Sequence, residues 1–257
     1  MRAAFNRLLL GRWTSPIALL LLWELGSQTG AIPDRILAPP HLVAQTLWSM
    51  IVSGELAGNI LVSLARAGAG LAIGVAAGSL LAVAAGLSKS GELAVDPPMQ
   101  MLRTLPALAL SPLLIVWLGI GEAAKIALIA YATAFPIYLN LYNGVRGVDV
   151  RLVEAARSFG LSPFEVIRHV VLPSALPAFL VGLRYALSVS VLMLVAAEQI
   201  NAQAGLGYLI NNARDFMRTD ILVVCLLVYA MLGLTADFIV RTLERRALVW
   251  RPNLVEA

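Results

Sequence analysis

The sequence predicts an all-α integral membrane protein with six transmembrane helices. Apolar residues make up 60% of its 257 residues and charged residues only 13%, a balance far from that of a soluble globular domain. Apolar runs long enough to cross a bilayer recur along the whole chain. Because a membrane-spanning helix satisfies its backbone polar groups internally, these runs are expected to be helical.

The spans belong to one transmembrane domain, residues 14–241, between a cytoplasmic N-terminal segment, 1–13, and a cytoplasmic tail, 242–257. No clear signal-peptide cleavage site follows the first apolar run, so we expect that span to be retained. Polar connections are expected at 33–58 and 199–220, and a loop with two prolines at 89–103. The predicted spans are about 15–32, 59–87, 104–120, 123–145, 176–197 and 221–240, with a cytoplasmic loop at 146–175.

Basic residues orient the chain. With both termini in the cytoplasm, thirteen Lys and Arg residues fall on the cytoplasmic side and four on the outer side. Cytoplasmic loops of membrane proteins carry this excess, so the loop at 146–175 is predicted to be cytoplasmic. The formal net charge of +4 therefore indicates membrane orientation and not nucleic-acid binding.

Within this loop the residues favour two short helices joined by a turn. Asp149 can cap the first helix, and Gly160 can close it, since glycine adopts the left-handed conformation without steric cost. Ser162 and Glu165 form an S-x-x-E capping box that starts the second helix. Pro173 is expected to end the unit. The first helix is amphipathic, with an apolar face of Leu152, Val153, Ala156 and Phe159, so the pair is expected to dock against a partner.

The same stretch resembles the EAA loop of permease subunits in bacterial ATP-binding-cassette importers. The family pattern is E-A-A, three residues, G, nine residues and I-x-L-P. Here it is Glu154-Ala155-Ala156, Gly160 and Val170-Val171-Leu172-Pro173, with Val170 in place of isoleucine. The resemblance extends from about residue 37 to 253. Within the family, the sequence is most similar to the nitrate, taurine and sulfonate branch. Segments 197–220 and 243–253 look most like aliphatic sulfonate permeases.

This resemblance implies the type I importer permease fold in the bacterial inner membrane. It implies a homodimer in which each copy contacts an ATP-binding subunit carrying ATP and Mg, while an extracytoplasmic binding protein delivers the substrate. This chain itself would bind no cofactor. The residues implied for ATPase coupling are Glu154, Ala155, Ala156, Arg157, Gly160, Leu161 and Ser162. Candidates for the translocation pathway are Asn140, Ser188, Ser190, Met193 and Glu198.

Each of these roles has a simpler alternative. Glu154 could pair with Arg151 or Arg157 on its own helix, and the pathway candidates could serve as interhelical contacts. Arg184 is more often paired with a neighbouring side chain than bound to substrate. Gly70, Gly74 and Gly78, spaced four apart, predict close helix packing.

Other chemistry is not indicated. The sequence has no P-loop motif, and its histidines and its single cysteine do not cluster as metal ligands. No catalytic or metal site is predicted. The alternatives left open are a self-sufficient six-helix transporter or channel and a membrane-embedded enzyme. Within the importer interpretation, taurine, nitrate and thiamine-precursor-like molecules remain alternative substrates.

Overall fold

The computed structural model of the protein describes residues 2–200 and 202–248, with side chains from Thr14 onward. Side chains of the predicted N-terminal segment and the end of the predicted tail lie outside these residues. A 3-10 turn, Ala107–Leu110, precedes α5, and a π-helical segment, Ile167–Val171, joins α8 to α9. The α-helices are α1 Arg2–Gln28, α2 Pro40–Val52, α3 Glu55–Leu87, α4 Lys89–Arg103, α5 Ser111–Leu118, α6 Glu122–Arg146, α7 Val150–Ser158, α8 Pro163–Val166, α9 Leu172–Glu198, α10 Leu206–Asp215 and α11 Thr219–Ala247.

Four stretches among the described residues are long and apolar enough to cross a membrane: Glu55–Leu87, Glu122–Arg146, Pro163–Glu198 and Thr219–Ala247. A bent pair, Lys89–Arg103 with Ala107–Leu118, gives a fifth if it counts as one span. The predicted first span, 15–32, overlaps the second half of α1, whose first half has no described side chains. The all-helical membrane fold is confirmed, and the number of six spans stays a prediction.

The predicted third span, 104–120, is not one straight helix. The chain bends by 93° between α4 and the segment that follows it. Leu105 precedes a proline, and such a residue is disfavoured in the helical conformation. Pro106 itself has an extended ψ of 122°, so the helix stops and restarts as a 3-10 turn and the short α5.

Three segments predicted as connections contain helices. Residues 89–103 form α4, although Pro97 and Pro98 lie inside it. The polar stretches 33–58 and 199–220 contain α2 and α10. Pro40 is the first residue of α2, a position where the missing N–H costs nothing. Tertiary packing commonly overrides local helix propensity, and α4 forms despite its two internal prolines.

The larger of two compact units contains residues 63–202 and the chain from residue 231. Several of its helices approach closely at positions where glycine removes a side chain. A Cβ at Gly74 would lie 2.0 Å from Thr133 Oγ1 and 2.7 Å from the Ala130 carbonyl oxygen. Gly70 and Gly78 meet α6 in the same way, which confirms the packing predicted from their spacing. On a neighbouring face of α6, Gly182 of α9 lies against the Pro136 carbonyl.

The smaller unit contains the chain up to residue 62 and residues 203–230. Polar contacts connect its two segments to each other. Asp220 accepts hydrogen bonds from Thr46 Oγ1 at 2.7 Å and from Arg218 Nη2 at 2.7 Å. This carboxylate raises the pKa of Arg218. Beside them Met217 adopts a φ of +55°, a strained value for a residue with a side chain.

Candidate functional site

The hairpin, residues 149–166, is built as its sequence predicts. The Asp149 carboxylate accepts the Arg151 N–H at 2.9 Å and caps α7. Gly160 has a φ of +83° and reverses the chain after α7. The Ser162 N–H donates to Glu165 Oε2 at 2.8 Å, and the Glu165 N–H donates to Ser162 Oγ at 3.4 Å. These reciprocal bonds complete the capping box and fix the start of α8.

Pro173, in contrast, does not end the unit. The chain passes from α8 through the π-helical segment into α9, so that Pro163–Glu198 is one helical run of 36 residues. Pro173 lies within this run, two residues after the π-helical segment. The hairpin is therefore connected without a break to a membrane-spanning helix.

One side of the hairpin packs on the body of the larger unit. Ala156 of α7 and Val166 of α8 are buried in a core with Val145 of α6 and Ala175 of α9. Leu161 is partly buried against the same core. The predicted apolar face of α7 is thereby divided, because Ala156 and Val153 pack against this core, whereas Leu152 and Phe159 are exposed.

The opposite side exposes large apolar side chains. Phe159 is 85% exposed and Phe164 is 68% exposed, and Leu152 and Val150 are also exposed. We call these four exposed apolar side chains of the hairpin the apolar patch. Surface patches of this kind mark interaction sites.

Charged and small residues of the same region are exposed as well. Glu154, Arg157 and Arg168 are exposed, as are the small Ala155, Gly160 and Ser162. Within the described part of the chain, no ion pair joins Glu154 to Arg151 or Arg157. Its carboxylate is therefore available to a partner.

The structure does not bring the predicted pathway residues together in one site. Asn140 lines an open cleft of about 570 Å³ between α6 and α9, together with Asn143 and Ser174. Its Nδ2 donates to the Pro136 carbonyl at 2.8 Å. Ser188 is exposed, whereas Ser190 is buried and donates to the Leu187 carbonyl at 2.8 Å. Met193 is half-buried on the same helix.

Glu198 lies in a buried cluster of charges. Its Oε1 accepts hydrogen bonds from Ser63 Oγ at 2.7 Å and from Arg66 Nη1 at 2.6 Å. Arg66 also forms a two-point pair with Glu122, and Lys125 Nζ lies 3.2 Å from the same carboxylate. The cluster ties α3 and α9 to the start of α6.

Sequence reasoning missed this cluster, although a signal was present. Arg66 lies inside one apolar span, and Glu198 ends another. A charge at membrane depth requires an opposite charge nearby, so the two residues could have been paired. Arg184 pairs with a neighbouring side chain, as expected, because its Nη2 lies 2.5 Å from Glu244 Oε2.

Packed apolar helices with a capped hairpin form the arrangement of a membrane-embedded transport subunit. The chain belongs to the family described as "Binding-protein-dependent transport system inner membrane component", which matches residues 74–249. It is thus a permease of the ATP-binding-cassette importer type and a multi-pass inner-membrane protein.

Curated relatives cover nearly the whole chain. A protein of Escherichia coli named as the aliphatic sulfonates transport permease protein SsuC is 45% identical, over 93% of this chain and 91% of that protein. Its Bacillus subtilis namesake is 40% identical, over 92% of this chain and 86% of its own length. The Escherichia coli taurine transport system permease protein TauC is 34% identical, over 90% and 86%.

Solved structures share the fold at lower identity. An amino acid ABC transporter chain superposes with a TM-score of 0.62 at 19% identity, covering 78% of this chain and 98% of that chain. A chain of the inward-facing MetNI methionine ABC transporter gives 0.51 at 21% identity, covering 78% and 95%. The type I importer permease fold is thereby confirmed.

Proposed function

We propose that this permease carries aliphatic sulfonates and is driven by a separate ATP-binding subunit that docks on the hairpin. Two relatives named for aliphatic sulfonates, at 45% and 40% identity, support this substrate over taurine, whose relative is 34% identical. The exposed apolar patch on the hairpin is the observation that carries the coupling mechanism.

Docking uses the two sides of the hairpin differently. Phe159 and Phe164 enter an apolar groove on the ATPase, and burying each phenyl ring contributes about 1.5–3 kcal/mol. Ala155 is small and exposed, which permits close approach, while Glu154 and Arg157 pair with charges on the partner. Four residues hold this surface in place: Ala156 and Leu161 by packing, and Gly160 and Ser162 by fixing the turn.

The pathway runs along α6 and α9. Asn140 and Ser188 offer neutral hydrogen-bonding groups that a sulfonate can contact weakly, and Met193 borders them. Weak contacts suit a conduit, because a tightly held substrate would leave slowly. Ser190 and Glu198 are buried, and we assign them to holding the helices in position.

The working assembly has two copies of this chain, so that the pathway forms between them. Each copy carries one ATPase subunit, which binds ATP and Mg, and an external binding protein delivers the substrate. Both termini lie in the cytoplasm with the hairpin. ATP draws the ATPase subunits together, moves the hairpins and shifts the permease between inward-facing and outward-facing states.

The decisive experiment measures ATP hydrolysis by the reconstituted permease and ATPase with binding proteins loaded separately with an alkanesulfonate, taurine or nitrate. Stimulation by the sulfonate-loaded protein alone is expected. Stimulation only by taurine or nitrate would keep the importer and replace the substrate. If no ATPase subunit binds this chain, the coupling mechanism fails, and a self-sufficient transporter becomes the better explanation.

A further inference from the structure

Two carboxylates on α4 face two tyrosines on α6 at matching intervals. Tyr138 Oη donates to Asp96 Oδ1 at 2.9 Å, and Tyr142 Oη donates to Glu92 Oε1 at 2.7 Å. The two carboxylates are four residues apart on α4, and the two tyrosines are four residues apart on α6, so each pair lies on one face of its helix. Arg146, one further turn along α6, donates to Glu92 Oε2 at 2.5 Å. We call these five residues the carboxylate ladder.

The ladder fixes how α4 lies against α6. The later residue on α6, Tyr142, contacts the earlier residue on α4, Glu92, so the two helices run antiparallel. The tyrosine rings stack with centroids 5.7 Å apart and an interplanar angle of 8°. Hydrogen bonds are directional, and two of them one turn apart resist both sliding and rotation of α4.

The same place in the structure is joined to the hairpin. Tyr138 is fully buried, and it shares one apolar core with Met99 of α4 and with Ala156 and Val166 of the hairpin. A movement of the hairpin therefore reaches α6 and α4 through residues in direct contact. Beyond α4 the chain turns through 93° into the bent segment, residues 107–118.

Stability alone is a weak reason for carboxylates in this position. Apolar residues of similar volume would pack here without losing the hydration of a charge, and such replacements are often neutral or stabilising. Apolar contacts, however, allow neighbouring helices to slip. Hydrogen-bonded carboxylates fix one register, which is the property that a mechanical connection requires.

We propose that Glu92 and Asp96 are positioning residues that make α4, and the bent segment after it, move with the hairpin as one body. The ladder thus transmits the force of the ATPase to a part of the permease that the ATPase does not touch. This inference rests on the proposed coupling of the hairpin to an ATPase.

Tyr138→Phe tests the ladder in proteoliposomes, because it removes one hydroxyl and leaves the buried ring. We expect the substrate imported per ATP hydrolysed to fall about fivefold to tenfold, from loss of one part-buried hydrogen bond to a charged group. Hydrolysis itself should remain. Tyr185→Phe is the matched control, since Tyr185 is exposed on α9 and loses the same hydroxyl. Asp96→Asn keeps an oxygen acceptor and should retain more coupling than Asp96→Ala.

A second measurement needs no ATPase. Spin labels replace the exposed Leu93 of α4 and Leu152 of α7 in a Cys225→Ala background, and their separation is measured in the detergent-solubilised chain. A narrow distance distribution is expected, broadened by Tyr138→Phe and not by Tyr185→Phe. An unchanged distribution would overturn the proposal, as would an unchanged ratio of import to hydrolysis in an active complex. A wild-type complex that shows no coupling would instead refute the proposed function.

Discussion

At the scale of single residues, the burial of Glu198 indicates whether its role is structural or in transport. Its carboxylate is fully buried and binds Ser63 and Arg66. A residue that lines a pathway must be reached by substrate, whereas one that neutralises a buried arginine must not. The position of Glu198 favours the structural role of neutralising Arg66, although its place at the end of an apolar span suggested a pathway role.

We therefore expect Glu198→Ala to destabilise the permease strongly. Arg66 keeps its pair with Glu122 but loses a buried hydrogen bond to a charged group, which costs about 1.5–3 kcal/mol. Glu198→Gln keeps an acceptor oxygen and should cost less. Thermal unfolding in detergent, followed by tryptophan fluorescence, measures both variants.

Asp237→Asn provides the comparison, because Asp237 pairs with Arg241 one turn away at an exposed position. Such exposed pairs contribute about 0.3–0.5 kcal/mol. Equal shifts in melting temperature for Glu198→Gln and Asp237→Asn, together with loss of uptake only in the former, would return Glu198 to the pathway.

At the scale of helices, the contact of α3 with α6 depends on missing side chains. A Cβ at Gly74 would overlap Thr133 and the Ala130 carbonyl, whereas a Cβ at Gly68 of the same helix meets nothing within 4 Å. We expect Gly74→Ala to destabilise the protein by about 1–3 kcal/mol through overpacking.

Gly68→Ala changes the same residue type in the same helix and should stabilise it by up to about 1 kcal/mol, as alanine favours helix. Thermal unfolding of both variants checks this opposite sign. Destabilisation by Gly68→Ala as large as that by Gly74→Ala would show that helix contact is not the cause.

The hairpin offers a second prediction at this scale. Phe159 is exposed and contributes little to the fold, so Phe159→Ala should leave the melting temperature of the isolated permease unchanged. Its affinity for the ATPase subunit should fall about tenfold or more, by loss of about 1.5–3 kcal/mol of apolar burial. Surface-immobilised ATPase and solubilised permease allow this Kd to be measured.

Phe216→Ala removes a phenyl ring of similar exposure, 75%, from the loop between α10 and α11. Its affinity for the ATPase should equal that of the wild type. If both variants bind alike, the exposed apolar patch of the hairpin is not the docking surface.

At the scale of the whole molecule, the sequence predicts some features well and others poorly. Fold class, hairpin and glycine packing were predictable because each depends on neighbouring residues or on a regular spacing. The helix at Lys89–Arg103 was not, since Pro97 and Pro98 locally oppose it and contacts with α6 residues about fifty positions away stabilise it.

Partnerships over long separations were equally hard to predict. Arg66 and Glu198 stand 132 positions apart, and only their positions within and at the end of apolar spans suggest that they pair. The division of the α7 apolar face also depends on tertiary structure. Periodicity placed Ala156 and Phe159 together, but only the position of the core shows that the first is buried and the second exposed.

The number of permease copies gives a prediction for the complete assembly. If two copies form one pathway and both hairpins must transmit force, an importer with one defective hairpin is inactive. We expect uptake to fall with the square of the wild-type fraction when wild-type chain is mixed with a Glu154→Lys, Phe159→Ser chain. An equal mixture should then retain about a quarter of the wild-type rate, as expected for a two-fold symmetric dimer.

The measurement is sulfonate uptake into proteoliposomes prepared from chains mixed at known ratios before assembly with the ATPase. Mixing wild type with the Gly68→Ala chain should leave uptake constant, which controls for the mixing itself. A linear decline would mean that one intact hairpin is enough to drive a cycle, or that each pathway is formed by one chain. Because a square and a straight line differ most at equal proportions, that single ratio separates a shared pathway with two coupled hairpins from independent copies.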